Sequence, residues 1–195
     1  GENFTIITGI NTLTAIGAGG RVMITGGENT ISSNAGAVYI TGYNATITNA
    51  NGGDIQVTGN TSTITNANGG RIFVTGLTQT ITNADGGVIN ATGTNVTFAG
   101  GVAGTVNISG EENTISTTSG PVYISGASNT ITTANGAVSI TGINTVTTAA
   151  GTVYASGTNT ITTAQGAVNA SGVNTITTAE GAVTASGTTT VTTAQ

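Results

Sequence analysis

Few side chains in this sequence could do chemistry. Its acids are Glu2, Glu28, Asp54, Asp85, Glu111, Glu112 and Glu180, and its bases are Arg21 and Arg71; His, Cys, Lys and Trp are absent from all 195 residues. A nucleophilic triad therefore lacks its base, and a zinc site lacks its usual ligands. Two carboxylates can serve as acid and base on a sugar, but Asp54 and Asp85 read as ordinary turn residues beside glycines. Glu111-Glu112 reads as a solvated corner pair, because calcium takes about 6–8 oxygens. The sequence predicts no enzyme, no metal and no cofactor.

Threonine is the residue whose spacing stands out. Thr-x-Thr recurs at Thr46/Thr48, Thr63/Thr65, Thr80/Thr82, Thr130/Thr132, Thr145/Thr147, Thr160/Thr162, Thr175/Thr177 and Thr190/Thr192, with Ser32, Asn95 and Ser116 interrupting the series. Residues two apart on a strand share a face, so stacked copies would build a lattice of hydroxyls and methyls.

The element that must carry this lattice is a short repeat. From Asn129 a fifteen-residue phrase returns at Asn144, Asn159 and Asn174, and a half-copy starts at Thr189. Upstream, Thr46, Thr63 and Thr80 open copies seventeen residues apart. Units this short are stable only when stacked on their neighbours. We read the whole sequence, 1–195, as one all-β solenoid of about twelve rungs of 15–17 residues.

Each rung holds two strands. Segment A (Thr130-Ile131-Thr132) places an apolar residue between two threonines, and segment B (Val138-Ser139-Ile140-Thr141) alternates Val and Ile with Ser and Thr. Such alternation of β-branched residues reads as half-buried strand. A segments start at Thr12, Thr30, Thr46, Thr63, Thr80, Asn95, Thr114, Thr130, Thr145, Thr160, Thr175 and Thr190. B segments start at Thr5, Val22, Val38, Ile55, Ile72, Ile89, Val106, Val122, Val138, Val153, Val168 and Val183. At about 4.8 Å per rung the rod would be roughly 58 Å long. Gly136 and Gly142 mark corners. The stretch 98–104 reads as an irregular rung between the longer and shorter copies. The Asn at 113, 129, 144, 159 and 174 is either an inward amide ladder or a plain turn residue.

The formal charge of −5, with charged residues at 5%, argues against a nucleic-acid partner, which needs clustered Lys and Arg. It argues equally against an electrostatic membrane anchor, and no apolar run approaches a membrane span. The chain opens at Gly1 with no signal peptide in view, as a processed secreted product or a trimmed chain would. Seven Asn-x-Ser/Thr sequons occur, about what chance gives in a chain this rich in Ser and Thr.

The first segment of the chain is of type B and the last of type A. Thr5, Ile6, Ile7 and Thr8 at one end, and Thr190, Val191 and Thr192 at the other, each supply the half-rung the other lacks. This leads us to expect head-to-tail stacking of copies, since uncapped rungs expose strand edges. The outward side of segment B includes Ile6, Met23 and the aromatics Tyr39, Phe73, Tyr123 and Tyr154, an expected lateral interface between rods.

The rung length and the Thr-x-Thr motif resemble the ice-binding β-solenoids of insects. That resemblance implies ice as partner and Thr130, Thr132, Thr145, Thr147, Thr160, Thr162, Thr175 and Thr177 as ice-binding residues. As a whole the chain looks like the repetitive β-solenoid proteins of microbial sheaths, fibres and adhesin stalks. That resemblance implies an extracellular or cell-surface structural protein that polymerises with itself into a filament or sheath. Ice binding is the alternative, and an adhesin or phage-fibre stalk the next.

Overall fold

The computed structural model describes residues 4–10, 12–16, 19–33, 36–49, 53–66, 70–102, 104–117, 119–133, 135–148, 150–163 and 165–193. These residues form a single parallel β-solenoid of twenty strands, with no helix among them. In the first part of the solenoid, segments B and A form separate strands that alternate. They are β1 (Phe4–Thr8), β2 (Thr12–Ile16), β3 (Arg21–Gly27), β4 (Thr30–Ser33), β5 (Ala37–Tyr43), β6 (Thr46–Asn49), β7 (Asp54–Asn60), β8 (Thr63–Asn66), β9 (Arg71–Leu77), β10 (Thr80–Asp85), β11 (Val88–Thr94), β12 (Thr97–Val102), β13 (Thr105–Ser109) and β14 (Thr114–Thr117). In β15 (Val122–Thr133), β16 (Val138–Thr148), β17 (Val153–Thr163) and β18 (Val168–Thr178), segment B runs through a bend into segment A. β19 (Val183–Ser186) and β20 (Thr189–Thr193) are separate again. Every pairing is parallel and joins equivalent segments of successive rungs.

The period-two pattern sets what is inside. Ile131 is 0% exposed between exposed Thr130 and Thr132, and Val138 and Ile140 are buried while Thr141 is exposed. One A column and two B columns of Ile, Val and Ala make a continuous core, from Val22 and Ile24 to Ala170 and Ile176. It thins toward the last rung, where Val183 is half-buried and Val191 is exposed.

The segment expected to start at Asn95 is corrected by two residues. Strand β12 starts at Thr97, which pairs with Thr80 and Thr114, while Phe98 takes the core place of Ile81 and Ile115. Asn95 sits in the preceding corner in the left-handed region, φ 59°. A two-residue slip leaves each side chain on its original face, and both Val96 and Phe98 are buried. Within the stretch 98–104, Phe98, Ala99 and Gly100 stay on the ladder; Ala103 lies outside the described residues.

Rung length varies at both kinds of corner. The step from Phe98 to Val106 is one residue longer than the equivalent step from Ile115 to Val122. The B-to-A corner shortens after Ser128, where the register shifts by one. Up to that point the corner holds a left-handed residue: Glu28, Asn44, Thr61, Thr78, Asn95, Glu112 and Ser128 all have φ between 53° and 59°. For β-branched Thr61 and Thr78 this is a strained conformation. The fifteen-residue rungs drop this residue, and their strands pass through the corner on glycine alone.

Candidate functional site

Face A is a regular lattice. One column runs Thr30, Thr46, Thr63, Thr80, Thr97, Thr114, Thr130, Thr145, Thr160, Thr175, Thr190, all in register and all exposed. The second column runs Ser32, Thr48, Thr65, Thr82, Ala99, Ser116, Thr132, Thr147, Thr162, Thr177, Thr192. The interruptions are therefore Ser32, Ala99 and Ser116, and Asn95 is not among them. Strand geometry spaces the lattice about 4.8 Å along the rod and about 6.7 Å across it. Threonine is stiff at χ1, so such columns present ordered groups.

Glycine at the B-to-A corner permits this close stacking. Gly142 has φ 115°, and a Cβ there would collide with the carbonyl oxygen of Gly126 one rung below.

Beneath face A lies a polar interior that the sequence left open. Asn113, Asn129, Asn144, Asn159 and Asn174 are buried and form an inward amide ladder. The Nδ2 of each of the first four donates to the Oδ1 one rung on, at 2.9 Å (Asn113 to Asn129), 2.9 Å (Asn129 to Asn144), 3.3 Å (Asn144 to Asn159) and 3.1 Å (Asn159 to Asn174). Val96 N–H donates to Asn113 Oδ1 at 2.8 Å. In the same column of an earlier rung, Gln79 Nε2 donates to the Gly59 carbonyl at 2.6 Å. A third threonine per rung (Thr133, Thr148, Thr163, Thr178) is also buried. The first three accept the N–H of Gly136, Gly151 and Gly166 at 3.0–3.2 Å. Their parity with Ile131 is the signal that could have placed them inside.

On face B one outward column runs Ile6, Met23, Tyr39, Gln56, Phe73, Asn90, Asn107, Tyr123, Ser139, Tyr154, Asn169, Thr184. Phe73, Tyr123 and Tyr154 are exposed as expected; Tyr39 is half-buried. Asn107 Nδ2 donates to Asn90 Oδ1 at 3.0 Å. A parallel column of Thr and Ser includes Thr92, Ser109, Ser125, Thr141, Ser156 and Ser171. Between the two columns runs a groove made of two adjoining cavities of about 400 Å³ each, which share Ser139 and Thr141. The corner column carries exposed large apolar residues among polar ones such as Asn60, Thr94 and Thr158, which alternation along the strands does not reveal. Tyr43, Leu77, Ile143 and Val173 are each at least half exposed.

At the ends, Ile6, Thr8, Thr190, Val191 and Thr192 are exposed. Thr5 and Ile7 pair with Val22 and Ile24, and their side chains lie outside the described residues, as do Gly1 and Gln195.

Charge is sparse and local. Arg71 bridges one rung to Asp54 through Nε and Nη2, both at 3.1 Å, an exposed pair that contributes little to stability. Residues 113–179 contain no charged side chain. Among the described residues no three metal-ligating side chains cluster, and no helix is long and apolar enough to cross a membrane. The described residues thus present a parallel β-solenoid with two repetitive outward faces. No protein-family model, curated protein or solved structure matches the chain.

Proposed function

We propose that this chain is a structural rod of an extracellular or cell-surface assembly, and that its partner is another copy of itself. The observation that supports this reading is the uncharged stretch 113–179, on which Tyr123, Ile143, Tyr154 and Val173 stand exposed. Soluble proteins keep apart through mixed surface charge and small apolar patches. Here both faces and the corner lack that barrier over rung after rung. End-to-end stacking of rungs belongs to the same proposal, which involves no cofactor and no catalysed reaction.

The association should rise steeply with concentration in light scattering. It should persist when salt is raised from about 0.05 M to about 0.5 M, because screening acts on charges and the stretch 113–179 has none. A chain that stays monomeric at the highest attainable concentration would sink the reading.

A second reading, ice binding, is favoured by the unbroken threonine column of face A. A surface that repeats in two directions selects a partner that also repeats, and a crystal of water is one. The wild type should then show thermal hysteresis. Thr145→Tyr with Thr160→Tyr, both at exposed positions, should remove most of it while the melting temperature stays unchanged. Absence of hysteresis in the wild type ends this reading. Absence of association as well would leave a stalk segment of an adhesin or fibre.

A further inference from the structure

We propose that the face B groove receives the corner ridge of a second copy of this chain, with parallel rods held rung opposite rung. The inference rests on the self-association reading and specifies its contact.

Bulk alternates on both surfaces. In the groove wall the column runs Tyr123, Ser139, Tyr154, Asn169, so large rings stand on every second rung. On the corner it runs Ala127, Ile143, Thr158, Val173, with the large apolar residues again on every second rung. The two alternations are out of phase. Ile143 lies on the rung of Ser139, and Val173 lies on the rung of Asn169. When two rods lie in register, Ile143 therefore meets the gap between Tyr123 and Tyr154, and Val173 meets the smaller Asn169 beyond Tyr154. Both repeats are about 9.6 Å, two strand spacings. Only a partner with the same rung spacing keeps that match over these four rungs, and another copy has it by construction.

Charge agrees. No residue lining the groove is charged, and the ridge from Ala127 to Val173 falls within the uncharged stretch 113–179, so neither must desolvate an ion. In rungs further back the phase is lost, because Tyr39 and Tyr43 share one rung and Phe73 and Leu77 another. The contact is thereby confined to the later rungs. The four matched rungs form a strip of about 20 Å by 10 Å that hides roughly 400 Å² in total, below the about 1,200 Å² of a stable pair. Single pairs are weak, and association becomes cooperative only when each rod uses both its ridge and its groove. The contact is heterologous, so it propagates.

The test uses charge complementation. Variant R carries Ile143→Lys and Val173→Lys; variant G carries Ser139→Glu and Asn169→Glu. None of these side chains is in the core, and circular dichroism checks that each rod is folded. Each variant alone should need at least about tenfold more protein to scatter light, since it opposes ions to an uncharged surface. An equimolar mixture should scatter like the wild type and contain both variants. A control, Thr145→Lys with Thr160→Lys on face A, should neither block association nor rescue variant G. Register is read by disulfide trapping in a chain that has no cysteine of its own: Ser139→Cys should cross-link to Ile143→Cys of another rod and not to Val173→Cys.

Variant R associating like the wild type, or the control rescuing variant G as well as R does, overturns the ridge-in-groove contact while leaving self-association standing. The same holds if a neutral oligosaccharide such as cellohexaose fills the groove without dispersing the rods. A monomeric wild type removes both.

Discussion

Ile131→Asp should prevent folding of the later rungs or cost more than about 5 kcal/mol. Ile131 is fully buried and packs in a column between Ile115 and Val146. The substitution removes about 2–5 kcal/mol of packing and apolar burial and adds an unpaired carboxylate to the apolar core. No Lys or His exists anywhere in the sequence, and its two arginines belong to distant strands β3 and β9. Thr132→Asp, one residue on, faces water and should cost less than about 1 kcal/mol. Urea unfolding followed by circular dichroism separates the two. A larger loss from Thr132→Asp would mean that the strand phase is reversed, because a one-residue slip exchanges the faces, and equal losses would mean that neither residue is held inside.

The solenoid was legible because two periods agree. A period of fifteen to seventeen set the rung, and a period of two set which residues face inward, so Ile131, Val138 and Ile140 were placed correctly from spacing alone. What escaped lies where these periods lose their grip. Asn95-Val96-Thr97-Phe98 fits the alternation in either of two frames, since Val96 and Phe98 both belong inside. The left-handed residue at 95 decides between them, and no rule of alternation contains it. Corner residues posed the same problem. Alternation stops at a glycine, so it gave no face to Ile143 or Val173, which proved exposed. For Asn144 the parity with Val146 was there to be read, but a corner asparagine is equally at home as a turn former. Only the stacking of one corner on the next tells a ladder from a turn.

Function was less legible for a different reason. Catalytic and metal sites announce themselves by unlike residues converging on one point. Here like residues line up along an axis, and the resulting surfaces have no centre. Thr160 has nearly the same surroundings as Thr145 and Thr175. A surface of that kind binds by summing many weak equivalent contacts, so its affinity grows with the number of rungs engaged. This suits another rod or a crystal face better than a small molecule. The opposed phases of Ile143 and Tyr154 are the exception to this uniformity, and for that reason they carry the specific contact proposed above.

The amide ladder supplies the second large effect, because its two ends are unlike its middle. Asn144 both accepts from Asn129 and donates to Asn159. Asn144→Leu leaves the Asn129 amide short of a partner and the Asn159 oxygen without its donor, both buried. At about 1–3 kcal/mol for each of the two stranded groups, the loss should be about 2–6 kcal/mol. Asn174 accepts from Asn159, but its own Nδ2 has no partner and Thr189 occupies the next rung. Asn174→Leu therefore strands one group and removes another already stranded, and it should cost about 1 kcal/mol or less. Both asparagines are equally buried and both follow a corner glycine by two residues, so a turn-forming role would make the two substitutions equivalent. Because solenoids unfold rung by rung, amide hydrogen exchange at β16 and β17 is the sharper readout. Asn144→Leu should speed exchange in these strands and leave β5 and β7 protected. Equal, small effects from the two substitutions would reduce the ladder to a by-product of the corner.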